Sequence, residues 1–272
     1  MNPVLLAIAA LATSAVGALG GLGGAILLVP ILVVAGVEPS EAAPLGLVSV
    51  AAGSLAAAAP HLDARVVNHR IGVATGIVSS SAALVGALVS GAVSEAVLSV
   101  ALGVVAIGAA VAGGRRKGVR NLPDPSLGPD DVGERPGTLA GVYPLVDGFV
   151  PYVARRVPLG LVGMGLAGLI AGLSGVGGGF VRTPTTTEVM HVPVKVAAAT
   201  TTFGVGVTAA VGLMVFAAQG RIEPSDTALV AAAAIVGGML GSRLQGLLSP
   251  QAVRQALAAA LVVIGVVLVV KR

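Results

Sequence analysis

Gly175-Val176-Gly177-Gly178-Gly179-Phe180-Val181-Arg182-Thr183-Pro184 lies between two long apolar runs, and its pattern has a counterpart earlier in the chain. That counterpart is Gly21-Leu22-Gly23-Gly24-Ala25-Ile26-Leu27-Leu28-Val29-Pro30, with residue 21 standing 154 positions before residue 175. Working outward from the two clusters, the flanking sequence also repeats. Ser54 falls opposite Thr208 and, after a small gap, Arg65-Val66 meets Arg221-Ile222, Gly86 meets Gly241 and Ser94 meets Ser249. Glycine-rich and alanine-rich stretches resemble one another by chance, but the shared order of glycine cluster, proline and polar ends points to duplication.

The medium follows from composition. Hydrophobic residues make up 56% of the 272 positions and charged residues 10%, with a mean hydropathy of +0.99. A water-soluble fold could not cover that much apolar surface. Forty glycines among Ala, Val and Leu suit closely packed membrane helices. Apolar runs near the length needed to cross a bilayer fall at about 3–20, 42–60, 71–91, 94–113, 157–173, 194–219, 225–245 and 250–270. Shorter runs fall at about 25–36 and 179–190. The expectation is an all-α polytopic membrane protein with a first repeat over 1–113, a polar linker over 114–156 and a second repeat over 157–272. Each repeat has about five membrane segments, the first two forming short, broken or re-entrant hairpin-like helices. The apolar N-terminus has no basic leader and matches an element of the repeat, so it is read as mature sequence.

Charge sets the orientation. Arg115, Arg116, Lys117, Arg120, Arg155 and Arg156 put the linker in the cytoplasm by the positive-inside rule. Counting outward places Arg65, Arg70, Lys195 and Arg254 inside, and Glu38, Glu41, Glu95, Glu223 and Asp226 outside. Each half then makes an odd number of net crossings, so the halves are inverted repeats with both termini outside, although Lys271 and Arg272 sit at an outer end. Topology accounts for the basic residues, and nucleic acid is not expected as a partner. Without cysteine there is no disulfide or thiolate site, and His61, His69 and His191 lack metal-ligand spacing, so no metal or cofactor is expected. The glycines do not make a dinucleotide-binding G-x-G-x-x-G, because Phe180 stands where the last glycine belongs. His61 and Asp63 come without a nucleophile elbow, which argues against an intramembrane hydrolase.

Glycine clusters that interrupt membrane helices are tolerated only beside protein or water, so they mark a cavity, and the helix starts after them suit an anion. The expected midplane site takes Gly21, Gly23, Gly24, Ser49 and Ser54 from the first half. From the second it takes Gly175, Gly177, Gly178, Gly179, Arg182, Thr200, Thr201 and Thr202. Arg182 at bilayer depth costs on the order of 3 kcal/mol and needs a partner, water or a purpose; the alternatives are substrate contact, snorkelling, or an ion pair with Glu188. The hydroxyls, with Thr183, Thr185, Thr186 and Thr187, either donate to an oxyanion or bond back to helix carbonyls. His69, Arg70 and Lys195 form a basic cytoplasmic mouth.

These residues carry a family resemblance. The first cluster with Val29-Pro30, the acidic turn Glu38 to Glu41, Ser49 and Ser54, the Arg65 to Arg70 turn, Gly175 to Pro184, and Ala199-Thr200-Thr201 resemble the TauE/SafE family of sulfite exporters. The resemblance implies a multi-span permease of the bacterial inner membrane that moves sulfite, sulfonates such as sulfoacetate, or related small anions outward. Ala25 stands where a third glycine belongs, and Pro44-Leu45-Gly46 faces Ala198-Ala199-Thr200, which favours the second half as the main anion contact. A channel for a neutral solute and a structural membrane subunit are the rival readings. Small-residue helix faces suit a homodimer.

Overall fold

The structure, a computed structural model, describes residues 2–20, 25–114, 133–145 and 148–244, with scattered positions from 255 to 267. The first half holds α1 (Pro3–Gly20), α2 (Ala25–Val34), α3 (Pro39–Asp63), α4 (His69–Ser90) and α5 (Glu95–Gly114). The second holds α6 (Val157–Ser174), α7 (Gly179–Pro184) with a π-helical turn Thr185–Val189, α8 (Val194–Ala218) and α9 (Pro224–Leu244). Among the described residues, five helices are long and apolar enough to cross a membrane: α3, α4, α6, α8 and α9. Large apolar side chains such as Ile77, Val162, Met214 and Ile235 point outward on them, an exposure that suits lipid. The ten residues of α2 reach about 15 Å, half of a hydrocarbon core of about 30 Å. The expected run over 250–270 lies mostly outside the described residues.

Small residues decide how the helices meet. Gly168 and Gly172 of α6 lie on the backbone of Ser79 and Ala83 of α4, so the two run side by side in the same direction. Gly237 and Gly241 of α9 lie in the same way on Leu11 and Ala15 of α1. The first long helix of each half therefore packs on the fourth helix of the other. Gly86 rests on the carbonyl of Leu169 and Gly241 on that of Ala15, so this pair, matched in sequence, also packs equivalently. Leu47 faces Gly212 and Leu55 faces Gly206, which makes α3 and α8 antiparallel.

One sequence correspondence shifts by a residue. Helices α3 and α8 are both 25 residues long, beginning at Pro39 and Val194. Gly53 approaches Ala234, just as Thr208 bonds Ser79. Thr208 is thus matched in packing by Gly53, and Ser54 stands one position beyond it. The offset of 154 residues set by the glycine clusters puts Ser54 there instead, because it carries no account of the one-residue gap between the clusters and these helices.

The segment expected as polar linker holds structure. Strands β1 (Gly133–Glu134), β2 (Ala140–Leu145) and β3 (Gly148–Val153) form an antiparallel sheet in the order β1-β2-β3. Tyr143, Tyr152 and Ala154 are buried against Ile71, Met164, Met190, Val192, Val196 and Ala197, so the sheet seats on the ends of α4, α6 and α8. The backbone N–H of Arg155 donates to the Met190 carbonyl at 2.9 Å and anchors the chain as it leaves β3. The basic run from Arg115 to Arg120 lies outside the described residues.

Candidate functional site

Helix α6 ends where the chain must reverse inside the bundle. Gly175, Gly177 and Gly178 take φ of 75°, 82° and 65°, a left-handed backbone that residues with a Cβ rarely adopt. The turn is also tight, since Gly175 lies against Ala43 and Gly177 against Val50 of α3. It starts α7 at Gly179 and sends the Arg182 side chain between α4 and α8. There Arg182 Nη1 donates toward Ser79 Oγ at 2.6 Å, Thr208 Oγ1 at 2.8 Å and the Gly204 carbonyl at 3.3 Å. Ser79 Oγ and Thr208 Oγ1 are 3.0 Å apart, and Ser80 Oγ donates to Thr208 Oγ1 at 3.3 Å. A Cβ at Gly204 would run into Arg182 Nη2, so the glycine leaves the guanidinium its place.

Arg182 is 2% exposed, and its Nε has no acceptor. Glu188 is exposed on the π-helical turn, so the Arg182–Glu188 ion pair is not formed. Among the described residues no carboxylate lies within ion-pair distance of the guanidinium; His69 with Glu134 is the pair observed. A cation held by neutral oxygens in a dry interior is costly, and an anion beside it recovers part of that cost. Its partners lie near the middle of α4 and α8, far from both helix ends.

The threonines divide by role. Thr185, Thr186 and Thr187 bond back to the carbonyls of Val181, Arg182 and Thr183, at 2.7, 2.8 and 3.0 Å. Thr202 does the same to Ala198 at 2.9 Å. These hydroxyls satisfy helix backbone, as is usual in membranes. Thr200 Oγ1 accepts the Asn68 backbone N–H at 2.9 Å and ties α8 to α4, while Thr201 is simply buried. Ser49 and Ser54 are buried with hydroxyls that have no partner. Gly179 is buried at the start of α7, and Gly21, Gly23 and Gly24 lie outside the described residues. The structure thus does not gather all the sequence-predicted residues around Arg182. It brings in Ser79, Thr208 and Gly204 instead. The available sequence signal was Ser79-Ser80-Ser81, a hydroxyl run in the middle of an apolar span.

His69, Arg70 and Lys195 sit together at the sheet. His69 Nδ1 is 3.5 Å from Glu134 Oε1, and the Arg70 backbone N–H donates to Glu134 Oε2 at 3.1 Å. Lys195 Nζ lies 5.9 Å from the centre of the Tyr143 ring. Asn68, the N-cap of α4, accepts from Ile71 N–H and donates to the Tyr152 hydroxyl at 3.0 Å. At the opposite end, the turns before α3 and before α9 enclose a cavity of about 530 Å³ lined by Glu38, Glu41, Arg221, Glu223 and Asp226. Arg182 is not part of its wall.

The profile of the sulfite exporter TauE/SafE family matches residues 5–268. The chain belongs to this family. Comparison with curated proteins gives no match, and comparison with solved structures gives none. As a TauE/SafE chain with these helices it is a multi-pass membrane transporter of the sulfite-exporter class.

The TauE/SafE chain has two tyrosines and no tryptophan, which permits a direct test of the sheet's seat. Burial pushes the Tyr152 phenol up to about 12, with the Asn68 hydrogen bond opposing the shift and the Glu134 charge adding to it. The raised value means the neutral phenol is favoured in the folded state. That stability is present below the unfolded value of about 10 and is lost as pH rises through about 12. In a phenolate-absorbance titration, one tyrosine's amplitude should appear only near pH 12 and vanish in Tyr152→Phe. Full two-tyrosine amplitude well below that pH would mean that Tyr152 is not buried in solution.

Proposed function

We propose that this transporter exports a small sulfur oxyanion, sulfite or an organosulfonate such as sulfoacetate, by binding it at Arg182 near the bilayer midplane. The observation that carries the reading is the wholly buried guanidinium held by Ser79, Thr208 and the Gly204 carbonyl, with no carboxylate among the described residues to neutralise it. The Nε–H is a donor left for an oxyanion, and the two hydroxyls can turn to donate once an anion is present. The broken element Gly175–Val189 lets this site form inside the membrane, because irregular backbone there is enclosed by protein.

The halves act as inverted repeats, a reading supported by antiparallel α3 and α8 and by the matched packing of Gly86 and Gly241. The second repeat supplies the charge, since Leu28 stands where Arg182 stands in the repeat. The protein sits in the bacterial inner membrane with the linker in the cytoplasm and both termini outside. The sheet end then faces the cytoplasm and the acidic cavity faces out. With the cell interior negative, outward movement of one negative charge is favoured by about 2.3 kcal/mol per 100 mV, so no coupled ion is needed. A homodimer remains compatible with the small-residue faces.

The test is a thermal-shift titration of the detergent-purified protein with sulfite, sulfate, sulfoacetate, taurine and acetate. A ligand at about 100 times its dissociation constant adds about 2.7 kcal/mol. Sulfite or sulfoacetate is expected to stabilise selectively. A folded sample that shifts with none of the anions would leave the neutral-solute and structural-subunit readings.

A further inference from the structure

We propose that the three-stranded sheet is a lid on the transport pathway, and that Glu134 holds it shut by occupying the place where an incoming anion is first captured. The inference rests on the anion reading above for the identity of what displaces Glu134, while the lid itself rests on contacts of the sheet.

Three sets of contacts close this end. Tyr143 and Tyr152 reach down from β2 and β3 into the apolar cluster of Ile71, Met190, Val192, Val196 and Ala197. Asn68 joins the sheet to both helices that flank Arg182. Its side chain donates to Tyr152 and its backbone N–H donates to Thr200 of α8, while its own position caps α4. Ser79 lies further along α4, and Gly204 and Thr208 lie further along α8. The fastening is therefore applied to the pair of helices that must part for an anion to reach the guanidinium.

The third contact is electrostatic. The Glu134 carboxylate takes the Arg70 N–H at the first turn of the 22-residue α4 and lies beside His69. A carboxylate and a sulfur oxyanion use the same donors, so Glu134 stands as an internal anion in a place that exogenous anions can contest. Lys195, resting on the Tyr143 ring, adds a cation at the same mouth. Substrate that displaces Glu134 loosens β1, and the Asn68–Tyr152 bond then yields. This links anion arrival to opening without any separate sensor.

The chain has no cysteine, so single thiols report opening cleanly. Val192→Cys and Val196→Cys place near-isosteric thiols beneath the sheet, and Ala10→Cys places one in the separate core around α1. Each is made in the full chain, alone and combined with Glu134→Gln or Tyr152→Phe, and labelled with a charged maleimide in detergent. Both lid variants are expected to raise labelling at 192 and 196 about tenfold, the effect of one charge-assisted or buried hydrogen bond on a local opening, with residue 10 unchanged. Sulfoacetate, which unlike sulfite does not add to the maleimide, is expected to raise labelling in the protein that retains Glu134 and to add little in Glu134→Gln. Unchanged labelling in both variants overturns the lid, and so does a parallel rise at residue 10, which would mean general loosening. A rise in the variants that no anion reproduces in the parent overturns the capture role of Glu134. Failure of the anion reading appears separately, as absence of any thermal shift while the lid variants still open.

Discussion

Arg182→Gln abolishes selective stabilisation by sulfur oxyanions and slows their efflux from proteoliposomes by at least about 30-fold, while the protein still inserts and keeps its thermal midpoint. The size follows from truncating one partner of a desolvated charged interaction, which costs about 2–5 kcal/mol, with about 1.4 kcal/mol per factor of ten. Fold stability is expected to hold because the guanidinium has no carboxylate partner among the described residues. Its neutral replacement removes a buried charge and still offers an amide to Ser79 and Thr208. Arg182→Lys keeps the charge but loses the planar fork, and an intermediate loss is expected. If Arg182→Gln transports like the parent, the guanidinium is a structural strut and the anion binds elsewhere. If the variant fails to insert, Gly204→Ala supplies the second reading, since its Cβ displaces the guanidinium without removing it.

The second large effect is on the fold. Gly172→Val is expected to destabilise the purified protein by on the order of 3 kcal/mol or more, visible as a lowered midpoint and loss of a monodisperse peak. A Cβ at residue 172 would run into the Ala83 carbonyl and come within 2.7 Å of the Ala87 nitrogen, both backbone atoms of α4. Backbone cannot rotate aside as a side chain does, so α6 must back away from α4. The displacement also moves Ser79, which holds Arg182 and whose own carbonyl lies under Gly168. Gly76→Val on the same α4 is the control, because beyond its own helix backbone a Cβ there meets nothing within 4 Å. Equal losses in both variants would assign the effect to helix propensity alone.

The spans were legible from sequence because a bilayer imposes a one-dimensional rule: enough consecutive apolar residues to cross it. The runs read at 157–173, 194–219 and 225–245 became helices at Val157–Ser174, Val194–Ala218 and Pro224–Leu244. The short run after the second glycine cluster likewise became α7 and its π-helical turn. The sheet was not legible. Its segment also carries the densest charges and prolines in the chain, and the buried faces of Tyr143 and Tyr152 have value only once α4, α6 and α8 offer a surface to meet them. The register of Thr208 was misjudged for a similar reason. A constant offset of 154 residues places it opposite Ser54, while the packing surface matches it to Gly53.

By itself the sequence determined the membrane class, the broken helix at the second glycine cluster and Arg182 as a charge that needs explanation. Each of these is a property of composition, spacing or local backbone preference along one dimension. Only the tertiary structure decided that Ser79, Gly204 and Thr208 hold the guanidinium, that most of the neighbouring threonines satisfy their own helix, and that a sheet from the linker closes on Asn68 and His69. Those partners depend on which face each helix turns to its neighbour. Small residues far apart in the chain set that rotation, through backbone contacts that hydropathy does not encode.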